Sequence, residues 1–255
     1  MSSASPTPTR PPAHTLARRA GETALLAAAV LLMVLVAAEW RPLMDADESV
    51  VRTWHDWALE YEQLTAVQRL LSDWVWDTWT LRALCAAVVL WLLRYRGWRP
   101  ALWLGLTCLG GALVQQALKA AVDRPRPVLP RPVDHAHYAA FPSGHAMTAT
   151  VVCGALLWLL HHYGASGTVR RWALTGAVVS VLGVGVTRVW LGVHWPTDVL
   201  GGWLLGTLAV LTAGALGSRL LGERTRGRTD ARENGVPPQT VDGVPRQGSR
   251  GGTGV

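Results

Sequence analysis

Charge is scarce in this sequence. Of 255 residues only 16% are Asp, Glu, Lys or Arg, against about a quarter in a soluble domain. Half are hydrophobic, and they come in long blocks. That excludes an ordinary soluble domain and points to a multispan membrane protein. Lysine is scarcer still: Lys119 is the only one, every other basic side chain being Arg or His. Cysteine is limited to Cys85, Cys108 and Cys153, each inside an apolar block and at spacings that match no zinc pattern, which leaves them as small core residues. There is no nucleic-acid motif and no basic stripe interleaved with aromatics. The net charge of +7 therefore reads as orientation in a bilayer, with arginines flanking apolar blocks. No small-residue cleavage site follows the first apolar block, so that block is expected to be a retained span.

The apolar blocks predict an all-α bundle of six transmembrane helices, at residues 22–40, 81–93, 101–122, 143–160, 172–190 and 197–221. The second block is short, carries Arg82, and leaves open an extension back to Trp74. Residues 22–221 thus form one membrane-embedded domain. Residues 1–21, rich in Ser, Thr, Pro and Arg, and residues 222–255, rich in Gly, Arg, Pro and Thr, read as disordered tails. Residues 41–79 mix acids and arginines with Trp54, Trp57, Leu64, Val67 and Leu71 at helical intervals. They suggest an amphipathic helix at the outer interface, with a structured loop as the alternative.

Arginines fix the orientation. Arg10, Arg18 and Arg19, then Arg94, Arg96 and Arg99, then Arg170 and Arg171, then Arg219, Arg224, Arg226, Arg228 and Arg232 fall on one side of a six-span chain. That side, with both termini, is expected to be cytoplasmic. Trp40, Trp74, Trp98, Trp172 and Trp190 stand at span ends, as an interfacial belt requires. Lys119, Arg124, Arg126, Arg131 and Arg188 break the pattern by falling on the outer side with His194. Such an exception marks a functional charge cluster.

Three patches lie at that outer rim: Lys119 to Pro127, with Arg126; Phe141-Pro142-Ser143-Gly144-His145; and Arg188 to Asp198, with His194. Lys119, Arg126 and Arg188 would repel one another at a low-dielectric rim unless an anion lay between them. Arg offers phosphate a planar fork and Lys a point charge. Ser143 and Gly144 open a helix whose free N–H groups suit an anion, and Ser143 either caps that helix or donates its hydroxyl to the anion. Asp198, one turn after His194, can fix the imidazole tautomer and stabilise a cation formed on it. His194 and Asp198 could instead bind a metal, but too few further His or Glu residues lie in that patch.

The set resembles the three-part signature of the type 2 phosphatidic acid phosphatase family, which shares its site with vanadium haloperoxidases. The family pattern is Lys, six residues, Arg-Pro; Pro-Ser-Gly-His; and Ser-Arg, five residues, His, three residues, Asp. Here it reads Lys119, Arg126, Pro127; Pro142, Ser143, Gly144, His145; and Arg188, His194, Asp198, with Thr187 in place of the serine. The resemblance implies that His194 attacks phosphorus to form a phosphohistidine while Asp198 orients it. It implies that His145 protonates the leaving oxygen and then activates water. Lys119, Arg126, Ser143, the Gly144 amide and Arg188 would hold the phosphate, with no metal or cofactor.

The expected substrate is a lipid phosphate of polyprenyl diphosphate or phosphatidic acid type, reached from the extracytoplasmic face, with membrane lipids and no nucleic acid as partners. Transfer of the phosphoryl group to another hydroxyl, and haloperoxidase-like chemistry, are the alternatives. His135 and His137, with Asp134, are either headgroup contacts or solvated loop residues. Gly202 and Gly206 fit close helix packing. Neither the headgroup nor the oligomeric state is specified.

Overall fold

The structure is a computed structural model that describes residues 13–222. Residues 1–12 and 223–255, where the two tails were expected, lie outside the described residues. The chain forms α1 (Ala13–Ala37), α2 (Arg41–Glu60), α3 (Glu62–Leu70), a π-helical turn (Leu71–Val75), α4 (Thr78–Tyr95), α5 (Trp98–Val122), α6 (Gly144–His162), α7 (Gly167–Trp190) and α8 (Pro196–Leu220). No strand occurs among the described residues.

Among the described residues, six helical segments are long and apolar enough to cross a membrane: Leu16–Ala37, Glu62–Tyr95, Trp98–Val122, Gly144–His162, Gly167–Trp190 and Pro196–Leu220. These are the six expected blocks. The pattern of exposure suits a lipid solvent. On α5, Leu102, Leu106, Leu109 and Leu113 form an exposed stripe at helical spacing, while the buried face carries Thr107, Gly111 and Gln115. Trp103 and Leu104 are buried near the start of α5, but from Thr107 onward large apolar groups lie outside and small or polar ones inside, the reverse of a water-soluble bundle.

Three boundaries differ from expectation. Helix α1 begins at Ala13, so residues 13–21 are helix and not tail. An Arg18–Glu22 pair at 2.9 Å carries the helix outward beyond its apolar core. Helix α4 begins at Thr78 because Asp77 caps it, its Oδ2 accepting from the Trp79 and Thr80 amides at 2.7 and 3.3 Å. The outer segment is helical, as expected, but broken at Tyr61 and again at residues 71–77. Its buried positions on α2 are Asp47, Val51, His55 and Ala58. Their spacing is helical, yet two of the four are polar. That face is turned to protein rather than to lipid.

Helix α6 packs against α4, α5, α7 and α8. Its seam with α8 is tight: a Cβ at Gly202 would lie 2.9 Å from the Ser143 carbonyl oxygen and 3.0 Å from the Met147 amide. Any larger side chain would push the helices apart. Further along, Trp103 stacks on Trp158 with centroids 4.2 Å apart and donates to the Ala213 carbonyl at 2.8 Å. This packing gathers the C-terminal ends of α5 and α7 and the N-terminal ends of α6 and α8 at one end of the bundle.

Candidate active site

The third patch is set by the turn between α7 and α8. Gly192, at φ +68°, reverses the chain, and Pro196 starts α8. Asp198, fully buried in the first turn, accepts at Oδ2 from the Trp195 amide at 2.9 Å. The same oxygen is 3.3 Å from His194 Nδ1. The carboxylate can only accept, so Nδ1 carries the proton and Nε2 presents its lone pair. An Arg126 N–H lies 3.2 Å from that Nε2. Burial, reinforced by the charges of Arg126, Arg188 and Lys119, holds the His194 imidazole well below its usual range. His194 is therefore neutral at physiological pH.

The second patch lies directly on the third. The Ser143 amide donates to the Asp198 carbonyl at 2.9 Å. Ser143 makes no capping bond to α6, and its buried Oγ has no hydrogen-bond partner among the described residues. Of the two roles open to this hydroxyl, capping is not the one taken. Gly144 opens α6 against Gln115, whose Nε2 would be 2.8 Å from a Cβ there. His145 Nε2 lies 3.7 Å from Asp77 Oδ1, beyond a hydrogen bond.

The three cations converge. Lys119 donates to the Ala139 carbonyl. Arg126 donates to the carbonyls of Val193 at 2.5 Å, Tyr138 at 2.8 Å and His137 at 3.1 Å. Burial pulls its guanidinium below the usual range, opposed by Asp198 and Asp134. Arg188, 5% exposed, donates to Ser72 Oγ at 2.5 Å, and its Nε has no partner among the described residues. Lys119, Arg126, Gly144, His145, Arg188 and His194 line one cavity of about 680 Å³. His135, His137 and Asp134 line it too, and both histidines are exposed. The Thr187 hydroxyl, which replaces the family's serine, donates back to the Val184 carbonyl at 2.8 Å.

Sequence reasoning assigned no role to the residues that hold this set in place. Arg124, 7% exposed, donates to Asp198 Oδ1 at 2.6 Å and to Asp47 Oδ2 at 2.7 Å. Ser72 and Asp77 face Arg188 and His145. His55 Nε2 reaches the Pro130 carbonyl at 2.7 Å, and Arg69 donates to the Val133 carbonyl at 2.5 Å. The one available signal was the basic cluster on the outer side, which contains Arg124. Breaking such a buried ion pair by removing one partner costs about 3–5 kcal/mol.

Residues 100–216 match the PAP2 superfamily. The chain is 40% identical to phosphatidylglycerophosphatase B of Bacillus subtilis strain 168 over 98 residues, 38% of this chain and 47% of that protein. It is 37% identical to the undecaprenyl-diphosphatase of Sulfolobus acidocaldarius over 78 residues, 31% of this chain and 32% of that protein. The matched stretch thus spans half or less of these curated relatives. Similarity to the crystal structure of a transmembrane PAP2-type phosphatidylglycerolphosphate phosphatase from Bacillus subtilis extends further. It covers 80% of this chain and 98% of that one, with a TM-score of 0.70 at 26% identity. Six apolar helices in the fold of a transmembrane protein make this a multi-pass membrane protein. Residues 100–216 thus match the PAP2 superfamily, within a fold similar to that of a transmembrane PAP2-type phosphatase.

Proposed function

We propose that this chain is an integral membrane lipid phosphatase that hydrolyses a lipid phosphomonoester or diphosphate through a phosphohistidine on His194. The observation that carries the reading is the distribution of charge around one lone pair. Neutral His194, its Nδ1 turned to Asp198, opens on a cavity walled by Lys119, Arg126 and Arg188. Close by, Ser143 Oγ and Arg188 Nε are buried donors without partners among the described residues. Buried donors are rarely left unpaired, and clustered cations need an anion. A phosphoryl group satisfies both and offers the lone pair an electrophile.

His194 Nε2 attacks phosphorus in line. The N–P bond forms as the P–O bond to the lipid breaks, and His145 gives its proton to the departing oxygen. Arg126, which faces Nε2 in the free enzyme, passes that N–H to a phosphate oxygen. With Lys119, Arg188, Ser143 and the Gly144 amide it holds the equatorial oxygens, where transition-state charge is spread. Asp198 stabilises the positive imidazole. His145 then takes a proton from water, the water oxygen attacks phosphorus, the N–P bond breaks, and inorganic phosphate leaves.

The relatives' names support phosphatidylglycerophosphate and undecaprenyl diphosphate as the first substrates to try. The arginine distribution supports cytoplasmic termini and a site on the extracytoplasmic face. The test is phosphate release in detergent micelles from phosphatidylglycerophosphate, phosphatidic acid and undecaprenyl diphosphate, in ¹⁸O-labelled water. At least one lipid should release labelled phosphate, and His194→Ala should abolish the release. Unlabelled product would point to phosphoryl transfer, and undiminished turnover by His194→Ala would remove the nucleophile.

A further inference from the structure

Asp198 is the obvious orienter of His194, but it does not act alone. Its second oxygen, Oδ1, accepts from Arg124 at 2.6 Å. The other arm of Arg124 donates to Asp47 Oδ2 at 2.7 Å. Thr197 closes a ring: its hydroxyl accepts from Arg124 at 2.7 Å and donates to Asp47, and its amide donates to Asp47 Oδ1 at 3.1 Å. Asp47 is 3% exposed, Arg124 7%, Thr197 4% and Asp198 0%. The Arg124 guanidinium also lies 5.4 Å from the centroid of the Trp195 ring. Asp47 comes from α2, a helix that puts no side chain against the proposed phosphate.

We infer that Asp47 and Arg124 are positioning residues that set the charge felt by His194, and that α2 thereby tunes the nucleophile from outside the signature patches. The inference rests on the proposed role of His194.

The reason is electrostatic. A carboxylate as buried as Asp198 needs a counter-ion, and Arg124 supplies it. Alone, that ion pair would be neutral and would offer little to a positive imidazole. Asp47 adds a second carboxylate to the same guanidinium. The trio Asp47, Arg124 and Asp198 then carries a net charge of −1, directed through Asp198 Oδ2 at His194 Nδ1. As His194 attacks phosphorus its ring becomes cationic, and the buried cluster reaches neutrality. The surrounding field works the other way. His194 shares its cavity with Lys119 of α5, Arg126 and Asp134 of the α5–α6 connection, His145 of α6, Arg188 of α7, and Asp73 and Asp77 ahead of α4. The cations among these oppose a positive His194. Asp47 offsets part of that opposition.

A purely mechanical clamp would use the same bonds, so the test must separate charge from attachment. It compares the pH dependence of kcat/KM, on whichever lipid phosphate the wild type hydrolyses, for four full-length variants in detergent. Asp47→Asn leaves the Arg124–Asp198 pair neutral, with no net negative charge, and disfavours the imidazolium. The acid limb should move about one unit to lower pH and kcat should fall about tenfold. Arg124→Gln removes the cation and should move the limb to higher pH. The double variant D47N/R124Q restores the net charge of −1, so its limb should return to the wild-type position. Thr197→Val breaks the ring of bonds without changing charge, and its limb should stay in place.

Opposite displacements in the two single variants, with return in the double, support the inference. A loss of rate in every variant with no displacement of the limb overturns it and leaves a clamp. If Asp47→Asn does not accumulate in the membrane, the double and Thr197→Val variants decide, since a displaced limb in either contradicts the account. Failure of the underlying reading looks different: His194→Ala would then keep its activity.

Discussion

Two stretches of chain build the site, and they contribute different things. Residues 119–198 supply every group placed against the proposed phosphate: Lys119, Arg126, Ser143, Gly144, His145, Arg188 and His194. Residues 41–77 supply none of these, yet they touch the set at several points. Asp47 holds Arg124, Ser72 accepts from Arg188, and Asp77 faces His145. Thr65 Oγ1 accepts from the Trp190 indole at 3.0 Å, and His55 and Arg69 tie down the α5–α6 connection. The lesson is a division of labour. The proposed chemistry is concentrated in short patches at the ends of four helices, and those patches are braced by an outer segment whose α2 buries a half-polar face.

If that division is right, substitutions in the two stretches differ in kind as well as in size. The largest effect belongs to the patches. His194→Ala should reduce kcat on the order of 10⁵-fold, as loss of a covalent nucleophile does, measured by phosphate release with the protein still folded in detergent. Arg126→Lys keeps the charge but loses the planar fork, and should cost about 10²–10³-fold in kcat. A conservative change tolerated there would break the comparison.

The bracing segment should give smaller losses. Ser72→Ala frees the buried Arg188 from its one side-chain acceptor and should cost about 10–100-fold in kcat/KM, the range for partners that orient a reacting shell. The effect should vanish in an Arg188→Ala background, because Ser72 acts only through that arginine. Thr65→Val removes two bonds, one from the Trp190 indole and one to the Ala58 carbonyl, neither of them to a residue placed against the proposed phosphate. It should lower stability by about 1 kcal/mol and leave kcat within twofold.

The pH profile sharpens the same contrast. The proposed attack requires a neutral His194, and burial with three nearby cations holds its pKa well below the ordinary value of 6.5. Protonation therefore sets in only at low pH. The acid limb of kcat/KM, which reports the free enzyme, should lie below pH 6.5 and not at it. Arg126→Ala should carry it upward, since it removes the cation that most opposes a positive His194.

Much of this was legible in the residues themselves. Long charge-poor blocks gave six spans, and Lys119, Arg126, His145, Arg188 and His194 stood out because their chemistry is polar at positions where the chain is otherwise apolar. Their convergence needed only the alternation of helices across a bilayer. The braces were not legible for a physical reason. Asp47, Ser72 and Asp77 lie in a segment already rich in Asp, Glu and Arg, where one buried acid looks like its solvated neighbours. Their roles depend on which face of α2 turns inward and where the chain breaks at residues 71–77, and both are decided by tertiary packing. Arg124 is the intermediate case: its placement on the outer side marked it as unusual, but not that it would point away from the cavity toward α2.

The most direct test of the central claim is covalent. Denaturing quench of the enzyme with a ³²P-labelled lipid phosphate should trap an acid-labile, base-stable phosphoenzyme that maps to His194. It should be absent in His194→Ala and should accumulate in His145→Ala, where hydrolysis loses its base. Label on another residue, or full turnover by His194→Ala with no trapped intermediate, would contradict the account.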